Sequence, residues 1–383
     1  MPSNTISSLL ETFTLGSLQL RNRVLVAPMT RVSANPDGTV PERMRRYYEV
    51  YAAGGFGAVI SEGLYIDSEH SQTYSNQPGM ARDEHIDSWR ETTGAVHRHG
   101  AKIIAQLQHS GPQSQGNPNA GGVKAPSDIA ARGEQLGMYG GVGPYTRPTP
   151  LTLEEIADVR RSFALAAVRA RKAGFDGVEI HGANGYLLDA FLTDYLNDRD
   201  DQYGGSPRNR VRLIEEICRD VRQAVGDDFV VGVRISQGKV SDPHHKWEQG
   251  VEEAKTIFST LAATGIDYIH TTEWVATAPA FGDDPRSLGQ LARESGAVPV
   301  IANGKLDTPQ EAGDAVANGH GDLVSLGKAA LSNRDWPRRA AAGQPVKNSF
   351  HPSGFGDSAV IQDWELDADR LLAPEGKAQP AAR

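Results

Sequence analysis

Eight short apolar runs recur along the chain, and they limit the possible folds more than any other feature. The runs are nearly continuous rather than alternating, which is typical of strands covered on both faces. Most of them lead into an amphipathic helical pattern, so we predict parallel strands joined by helices. The predicted strands are Val24–Ala27, Ala58–Ser61, Lys102–Leu107, Gly177–His181, Phe229–Ile235, Ile266–His270, Val298–Ala302 and Asp322–Leu326.

The segments between these runs carry clear helix signals. Thr152 with Glu155 forms the pattern of a capping box, and Gly174 marks the end of that helix. Ser206 before Pro207 is a second start signal, and Thr308 before Pro309 is a third. Eight strand–helix units predict a closed (β/α)₈ barrel. A doubly wound sheet is the alternative, and the absence of a GxGxxG pattern after the first strand weakens it.

The length fits one large barrel with additions. A chain of 383 residues exceeds both a typical domain of about 150 residues and a plain barrel of about 250. We expect residues 1–345 to form the barrel, with an N-terminal hairpin at 11–20 plugging its bottom. Residues 346–383 are expected to form a C-terminal arm and tail that is mobile after about residue 373.

One predicted connection is far longer than the others. Residues 111–149 contain nine Gly and five Pro among 39 residues, about twice the average of the chain. Long loops over a barrel mouth are commonly functional lids. We therefore predict a lid excursion after the third strand, with a structural flap that does not touch ligand as the alternative.

Composition excludes several classes of protein. The 39 basic and 48 acidic residues give a net charge of −9, which argues against a nucleic-acid partner. No apolar stretch approaches a membrane span, and the first residues lack a basic segment before an apolar run, so we expect no signal peptide. The single cysteine, Cys218, excludes an internal disulfide and a multi-cysteine metal site. A cytoplasmic protein without a metal is the expectation.

The loops after the seventh and eighth predicted strands indicate a phosphate site. Barrel enzymes place ligands at the carboxyl ends of their strands, and phosphate sites frequently form there. Gly304 and Gly327 would let backbone amides approach an anion, while Lys305 and Lys328 would add positive charge. Two glycine turns with solvated lysines are the alternative interpretation.

A second cluster follows the fourth strand. His181, Asn184 and Tyr186 lie within six residues of one another. Imidazole and carboxamide groups can both donate hydrogen bonds to one oxygen and so stabilise an oxyanion or enolate. A tyrosine hydroxyl nearby could supply a proton. Alternatively, the histidine and asparagine cap the loop and the tyrosine belongs to the core.

At these residues the chain resembles the Old Yellow Enzyme family of flavin-dependent ene-reductases, over roughly residues 10–345. The most specific segment is HGANGYLLDAFLTDYLNDRDDQYGGSPRNR at 181–210. Supporting segments are LRNRVLVAPMTR at 20–31, AQLQHSG at 105–111 and VGVRIS at 231–236. The lone cysteine separates this chain from larger relatives that carry an iron–sulfur cluster.

The resemblance implies an FMN bound across the barrel mouth. Thr30 would contact the flavin near O4, Gln106 would bond its pyrimidine edge, and Arg234 would stabilise the anionic reduced ring. Pro28, Met29 and Gly63 would line the ring. The full expected FMN set is Pro28, Met29, Thr30, Gly63, Gln106, Arg234, Gly304, Lys305, Gly327 and Lys328.

The same resemblance implies a ping-pong reaction. NAD(P)H would reduce the flavin, which would then pass a hydride to the β-carbon of an α,β-unsaturated carbonyl compound. His181 and Asn184 would hold the substrate oxygen and Tyr186 would protonate the α-carbon, while Trp274 is expected among the substrate-binding residues. We expect a small-molecule substrate and a monomer or homodimer.

The resemblance also leaves departures and alternatives. Lys328 stands where the family usually carries arginine, which removes a bidentate phosphate contact. The alternative functions are reduction of nitro compounds or nitrate esters, and a flavin-binding redox sensor with little turnover.

Overall fold

The computed structural model describes residues 4–119, 122–347 and 358–367. Eight parallel strands close into a ring in which each pairs with its neighbours in sequence and the eighth pairs with the first. In order, β1 to β8 are Val24–Val26, Ala58–Ile60, Lys102–Gln108, Gly177–Asn184, Val230–Lys239, Tyr268–Thr272, Val300–Asn303 and Leu323–Leu326. The predicted (β/α)₈ barrel is confirmed.

Helices surround the barrel and carry most of the predicted caps. Thr152 accepts a hydrogen bond from the amide of Glu155, and Thr308 caps its helix in the same way. The helices α1 to α12 are Asn4–Leu9, Glu42–Ala53, Asp83–Arg98, Leu153–Lys172, Leu187–Leu192, Pro207–Arg210, Arg212–Val225, Gly250–Ala262, Leu288–Ser295, Pro309–Ala317, Lys328–Ser332 and Trp336–Ala342.

A hairpin closes the bottom of the barrel. Phe13–Leu15 pairs antiparallel with Leu18–Leu20, and its leucines pack against the inward-facing residues of the strands. Gly16 has φ +55°, and a Cβ there would approach a carboxylate oxygen of Asp267 to 2.6 Å. Only glycine fits this turn without strain, so the tip sits tightly on the barrel.

Two segments cover the other end of the barrel. Residues 111–149, called the lid below, contain the short helical turns Gly111–Gln113 and Gly137–Tyr139. A two-residue strand pair, Lys124–Ala125 with Thr149–Pro150, fastens the base of the lid. Residues 358–367, called the C-terminal arm below, carry a helical turn at Asp363–Glu365.

The structure refines several predicted bounds. Strands β4 and β5 extend further toward the barrel mouth than the apolar runs indicated, because their last residues are polar but still pair. The helix predicted to begin at Ser206 divides at Val211 into α6 and α7. The expected tail after residue 373 lies outside the described residues. No helix in the described ranges is long and apolar enough to cross a membrane.

Candidate active site

A cavity of about 500 Å³ opens at the carboxyl ends of the strands. Its wall combines barrel residues with residues of the lid and of the C-terminal arm. The lining residues are Pro28, Met29, Thr30, Arg31, Tyr74, Gln106, Gln108, Leu136, Met138, Tyr139, His181, Asn184, Tyr186, Arg234, Val240, Gly327, Lys328, Leu331, Ser358 and Ala359. We call this the first cavity.

The end of β4 brings the predicted catalytic cluster to the first cavity. His181 pairs in register with Arg234 on β5, and the strand ends in Asn184 at φ +65°. This left-handed conformation is unusual for a residue other than glycine. Two hydrogen bonds of 2.8 Å stabilise it: the Asn184 amide donates to Ser236 Oγ, and Gln113 Nε2 donates to the Asn184 carbonyl.

A buried ion pair supports the same turn from behind. Lys239 Nζ lies 2.8 Å from Asp189 Oδ1, and both side chains are inaccessible to solvent. The other oxygen of Asp189 accepts a 2.6 Å hydrogen bond from the amide of Gly185. The peptide between Asn184 and Tyr186 is therefore held from both sides, which fixes where these two side chains enter the cavity.

His181 is a neutral hydrogen-bonding group. Burial, aided by the positive charge of Arg234, lowers its pKa to about 3. Its Nδ1 is buried and has no hydrogen-bond partner among the described residues. Since buried polar atoms in proteins are almost always paired, this nitrogen marks a place where a ligand belongs.

Tyr186 is an un-ionised phenol with one close partner. Its hydroxyl lies 2.6 Å from that of Tyr74, and burial raises its pKa above the ordinary value. The His181 ring lies 5.1 Å away, centroid to centroid. A neutral phenol beside a neutral imidazole can donate a proton or hydrogen bond into the first cavity.

The floor of the cavity is a buried polar network around Glu179. Its carboxylate accepts hydrogen bonds from Gln106 Nε2 at 2.8 Å and from the Tyr268 hydroxyl at 3.1 Å, and it lies 2.8 Å from His270 Nδ1. Burial opposes ionisation, but His270, Arg234 and Gln106 outweigh it and hold the Glu179 pKa well below its usual range. This charge fixes the Gln106 amide and leaves its carbonyl oxygen for a ligand.

Arg234 is the one guanidinium among the predicted ligand residues. It is buried, its Nη2 donates to Asn303 Oδ1 at 3.0 Å, and its Nε has no hydrogen-bond partner in the described part of the chain. Burial lowers its pKa, yet an arginine stays protonated in proteins. It therefore presents a positive charge with a spare donor.

Thr30 faces the lid across the cavity. The Thr30 side chain lies near the hydroxyl of Tyr139 and lowers its pKa, but burial outweighs this effect and raises the pKa to about 12. Beneath them, Glu62 accepts a 2.9 Å hydrogen bond from the amide of Arg31. Burial raises the Glu62 pKa to about 7, so the carboxyl group beneath the loop after β1 is protonated more readily than an ordinary glutamate.

A second, smaller cavity of about 280 Å³ shares Gly327 and Lys328 with the first. Lys305 Nζ and Lys328 Nζ lie 5.9 and 5.4 Å from the centre of the Trp274 ring, and both lysines are exposed. A Cβ on Gly327 would meet only Met29 Sδ, at 3.9 Å, so its backbone remains open to a ligand. Two ammonium groups and an accessible backbone suit a phosphate.

Gly304, in the loop after β7, is explained by packing and not by access for a ligand. Gly304 has φ +139°, and a Cβ there would approach the carbonyl oxygen of Glu273 to 2.1 Å. Its own carbonyl accepts a hydrogen bond from the amide of Ala276. Close packing of two loops explains this residue, whereas Gly327 leaves room for an anion.

These observations fit an FMN. An elongated ligand with an aromatic ring system at one end and a phosphate at the other matches two cavities that meet at Gly327. The unpaired donor of Arg234 and the available carbonyl of Gln106 suit the polar edge of a flavin, and the lysines suit its phosphate. The residues present therefore agree with the predicted cofactor.

Two predicted site residues, Gly63 and Trp274, do not lie where their expected roles would place them. Gly63 is buried behind the first cavity, because its carbonyl accepts a bond from Gln77 Nε2 and a Cβ would collide with the Gln108 side chain. Trp274 lines the second cavity, beside the lysines, and not the cavity that contains His181. Its expected contact with substrate has no support in this arrangement.

Several residues that line the first cavity were not predicted from the sequence. Tyr74 follows β2 in a long loop, and Tyr139 lies in the lid. Ser358 and Ala359 come from the C-terminal arm. A tyrosine within a glycine-rich loop was the available signal for Tyr139, although Tyr145 in the same loop carries the same signal. Nothing in the order of residues indicates that the arm returns to the mouth.

Comparison with known proteins gives a consistent result. The sequence profile of the NADH:flavin oxidoreductase / NADH oxidase family matches residues 8–347. The chain is 35% identical over 360 residues to a probable flavin mononucleotide-dependent alkene reductase of Leishmania infantum, covering 92% of this chain and 95% of that protein. It is 33% identical over 338 residues to an NADH oxidase of Thermoanaerobacter brockii, covering 86% of this chain but spanning only 50% of that protein.

Solved structures agree with the sequence relatives. An Old Yellow Enzyme homologue from Zymomonas mobilis superposes with a TM-score of 0.81 at 30% identity, over 94% of this chain and 99% of that one. Morphinone reductase in complex with tetrahydroNAD superposes with a TM-score of 0.80 at 29% identity, over 91% of this chain and 94% of that one.

These matches confirm the resemblance seen in the sequence. They also confirm the predicted class of enzyme, an oxidoreductase with FMN as cofactor and a nicotinamide reductant. The chain belongs to the NADH:flavin oxidoreductase / NADH oxidase family and is a flavoenzyme of the Old Yellow Enzyme type.

Proposed function

We propose that the enzyme reduces the activated C=C bond of α,β-unsaturated carbonyl compounds with electrons from NAD(P)H, in two half-reactions at one site. The observation that carries this proposal is the convergence of two neutral donors and one phenol on the first cavity. His181, Asn184 and Tyr186 all line it together with Gln106 and Arg234.

Each of these side chains has a definite task in the proposal. His181 and Asn184 donate hydrogen bonds to the carbonyl oxygen of the substrate, which polarises the conjugated alkene and stabilises the enolate that forms. Because His181 is neutral, it donates a hydrogen bond without supplying a full charge. Tyr186 transfers its phenolic proton to the α-carbon, and the Tyr74 hydroxyl at 2.6 Å stabilises the phenolate left behind.

The remaining residues hold the cofactor. Thr30, Gln106 and Arg234 would contact the ring system, and Lys305 with Lys328 would bind its phosphate. When bound, FMN supplies the hydride chemistry, accepting a hydride from NAD(P)H and returning one to the β-carbon of the substrate. The positive charge of Arg234, buried at the cavity floor, favours the negative charge that the reduced ring carries.

The relatives support this reading. The Leishmania infantum protein is named as an alkene reductase, and a rice relative that is 35% identical over 351 residues is a putative 12-oxophytodienoate reductase. Morphinone reductase has been solved in complex with tetrahydroNAD. An enone and a nicotinamide are both flat, conjugated molecules, and a single cavity of this size can receive them in turn.

An anaerobic titration tests the proposal. The purified protein should be yellow and release FMN on denaturation. NADH or NADPH should bleach the flavin, and cyclohexenone or a maleimide should restore its colour with formation of the saturated product. Reoxidation by a nitroalkene or nitrate ester but by no enone would overturn the proposed substrate class, and bleaching without reoxidation by any of these compounds would favour a redox sensor.

A further inference from the structure

The C-terminal arm forms part of the first cavity. Ser358 and Ala359 line it. The amide of Ala359 donates a 3.0 Å hydrogen bond to the carbonyl of Met138 in the lid, and its carbonyl accepts a 2.9 Å bond from Arg31 Nε. The arm thus joins the lid to the loop after β1, and the three segments together make the outer wall.

Glu365 fastens the arm to the barrel. Its carboxylate is inaccessible to solvent and accepts two hydrogen bonds from Arg31, at 2.6 and 2.7 Å. Nη2 of Arg334 binds the same carboxylate. Both guanidiniums are buried and lie over the ring of Tyr47, at 4.7 and 5.2 Å. A single carboxylate is therefore inserted between two buried cations.

This arrangement makes the arm hard to release. Burial alone would raise the Glu365 pKa, but Arg31 and Arg334 outweigh it and lower the pKa, so the group stays ionised. If the arm left, two guanidiniums would remain in an aromatic pocket without their carboxylate, which is strongly unfavourable. By contrast, Asp363 on the same arm pairs with Arg43 at the exposed surface, where ion pairs contribute little.

The Glu365 ion cluster is connected to the proposed catalytic residues through packed side chains. Arg31 directly follows Thr30 in the chain. Ala359 packs in one cluster with Val32 and Tyr74, and the hydroxyl of Tyr74 bonds that of Tyr186. Any shift of the arm therefore changes the space around the proposed proton donor.

We propose that the C-terminal arm is a fixed wall of the substrate cavity and that Glu365 is the positioning residue that holds it, so that this ion cluster limits the size of the substrates accepted. Glu365 touches neither substrate nor cofactor. It acts through Arg31 and Ala359. The inference rests on the proposed function for the nature of the substrate, but the position of the arm can be measured without any turnover.

The test compares Glu365→Gln with the matched variant Asp363→Asn. Both remove one carboxylate charge from the same arm, but only the first breaks the buried cluster. Hydrogen exchange on the holoenzyme reports the amides of Ala359 and Ile361, which donate to Met138 and to Ser33 Oγ. Steady-state kinetics compare a compact enone, cyclohexenone, with one that carries a bulky ring substituent.

The expected result is a selective loosening of the wall. In Glu365→Gln, exchange at the two amides should accelerate at least about 10-fold through local opening. The ratio of kcat/KM for the bulky to the compact enone should rise about 5-fold or more, within the range that pocket contacts can discriminate. Asp363→Asn should stay within about 2-fold of the unmodified enzyme in both measurements.

A second variant decides the question if Glu365→Gln does not fold. Ser358→Phe adds bulk from the arm into the cavity and should lower the same ratio about 5-fold or more while the compact enone is still reduced. A folded Glu365→Gln with unchanged exchange or an unchanged ratio would overturn the inference, as would a Ser358→Phe variant without any change in the ratio. Failure of the unmodified enzyme to reduce either enone would instead count against the proposed function, and hydrogen exchange would still report whether Glu365 holds the arm.

Discussion

The two cavities at the barrel mouth are built in opposite ways. In the first cavity the polar groups are buried, as His181, Arg234 and Gln106 are each at most 6% exposed. In the second, Trp274 is 71% exposed and both lysines face solvent. Electrostatic interactions among the buried groups of the first cavity are strong because these side chains are removed from solvent, whereas those of the exposed lysines in the second are weak and screened by salt.

This difference separates two functions. In the proposed function the buried cavity fixes the hydrogen-bond donors before the reaction and so determines rates, because preorganised groups need not rearrange when charge develops. We expect the exposed cavity, as the proposed phosphate site, to contribute to how much cofactor is bound. Variants in the first cavity should therefore change one half-reaction, and variants in the second should change occupancy and its dependence on salt.

The largest expected effect is on proton transfer. Tyr186→Phe removes the proposed proton donor, so reoxidation of the reduced enzyme by an enone should slow about 10²–10⁴-fold. Reduction by NAD(P)H should be unchanged within about 2-fold, because this step needs no proton from the phenol. Rapid mixing measures both steps. The control is Tyr203→Phe, which removes another buried tyrosine hydroxyl, one that donates to Glu216 and does not line the first cavity. Equal slowing of both half-reactions would indicate a structural role for Tyr186.

The next effect concerns ligand binding. His181→Ala removes one of two donors to the substrate oxygen, and phenols that bind as oxyanions should bind about 10–100-fold more weakly, as expected for a hydrogen bond to a charged group. Their long-wavelength absorption with the bound flavin follows the binding. Unchanged affinity would remove His181 from the proposed oxyanion contact.

A smaller effect is expected in the second cavity. The double variant Lys305→Gln with Lys328→Gln should raise the dissociation constant for FMN about 5–20-fold at low salt, and less at high salt because exposed charges are screened. Fluorescence titration of the apoprotein measures this constant, with Lys255→Gln on the exposed face of α8 as the control. A loss that is independent of salt would show that the backbone and packing, not charge, dominate there.

Trp274 tests the distinction between the two cavities, because it was expected to bind substrate but lines the second cavity. Trp274→Ala should weaken FMN binding about 2–5-fold through loss of its contacts with the two lysines. The KM for enones should not change. A raised KM with normal FMN affinity would restore the original expectation and weaken the distinction between the cavities.

The smallest expected effect is that of pH, on which the affinity for a carbonyl ligand should not depend. Since the His181 pKa is lowered from 6.5 to about 3, the imidazole gains a proton only as the pH falls toward 3. The affinity for a carbonyl ligand that does not itself ionise should therefore be constant between about pH 5 and 8. A binding step near pH 6.5 that disappears in His181→Ala would contradict a neutral histidine.

Much of this architecture could be predicted from the sequence because it is encoded locally. The strands are contiguous apolar runs, and parallel strands bring their carboxyl ends to one edge, so His181, Arg234 and Lys328 could be assigned to the mouth. Gly63 and Trp274 show the limit of that argument. A position after a strand gives the correct end of the barrel, but not whether the side chain points into one cavity, the other, or the packing behind.

The rest depends on contacts between distant segments. Tyr139 meets Thr30 from the lid, and Glu365 meets Arg31 from a position more than 300 residues away. Hydrophobic periodicity in the sequence does not predict such pairs, since each partner alone looks like an ordinary polar residue in a loop. The buried ion cluster could be recognised only when the fold placed two guanidiniums around one carboxylate.

The hairpin at the other end of the barrel affects how ligands enter and leave the enzyme. Because its leucines fill the bottom of the barrel, we expect the nicotinamide and the proposed alkene substrate to enter and leave by the same mouth. Each compound would then exclude the other while it is bound. An excess of alkene should therefore slow the reduction of the oxidised enzyme, because the two compounds would compete for one entrance and one cavity.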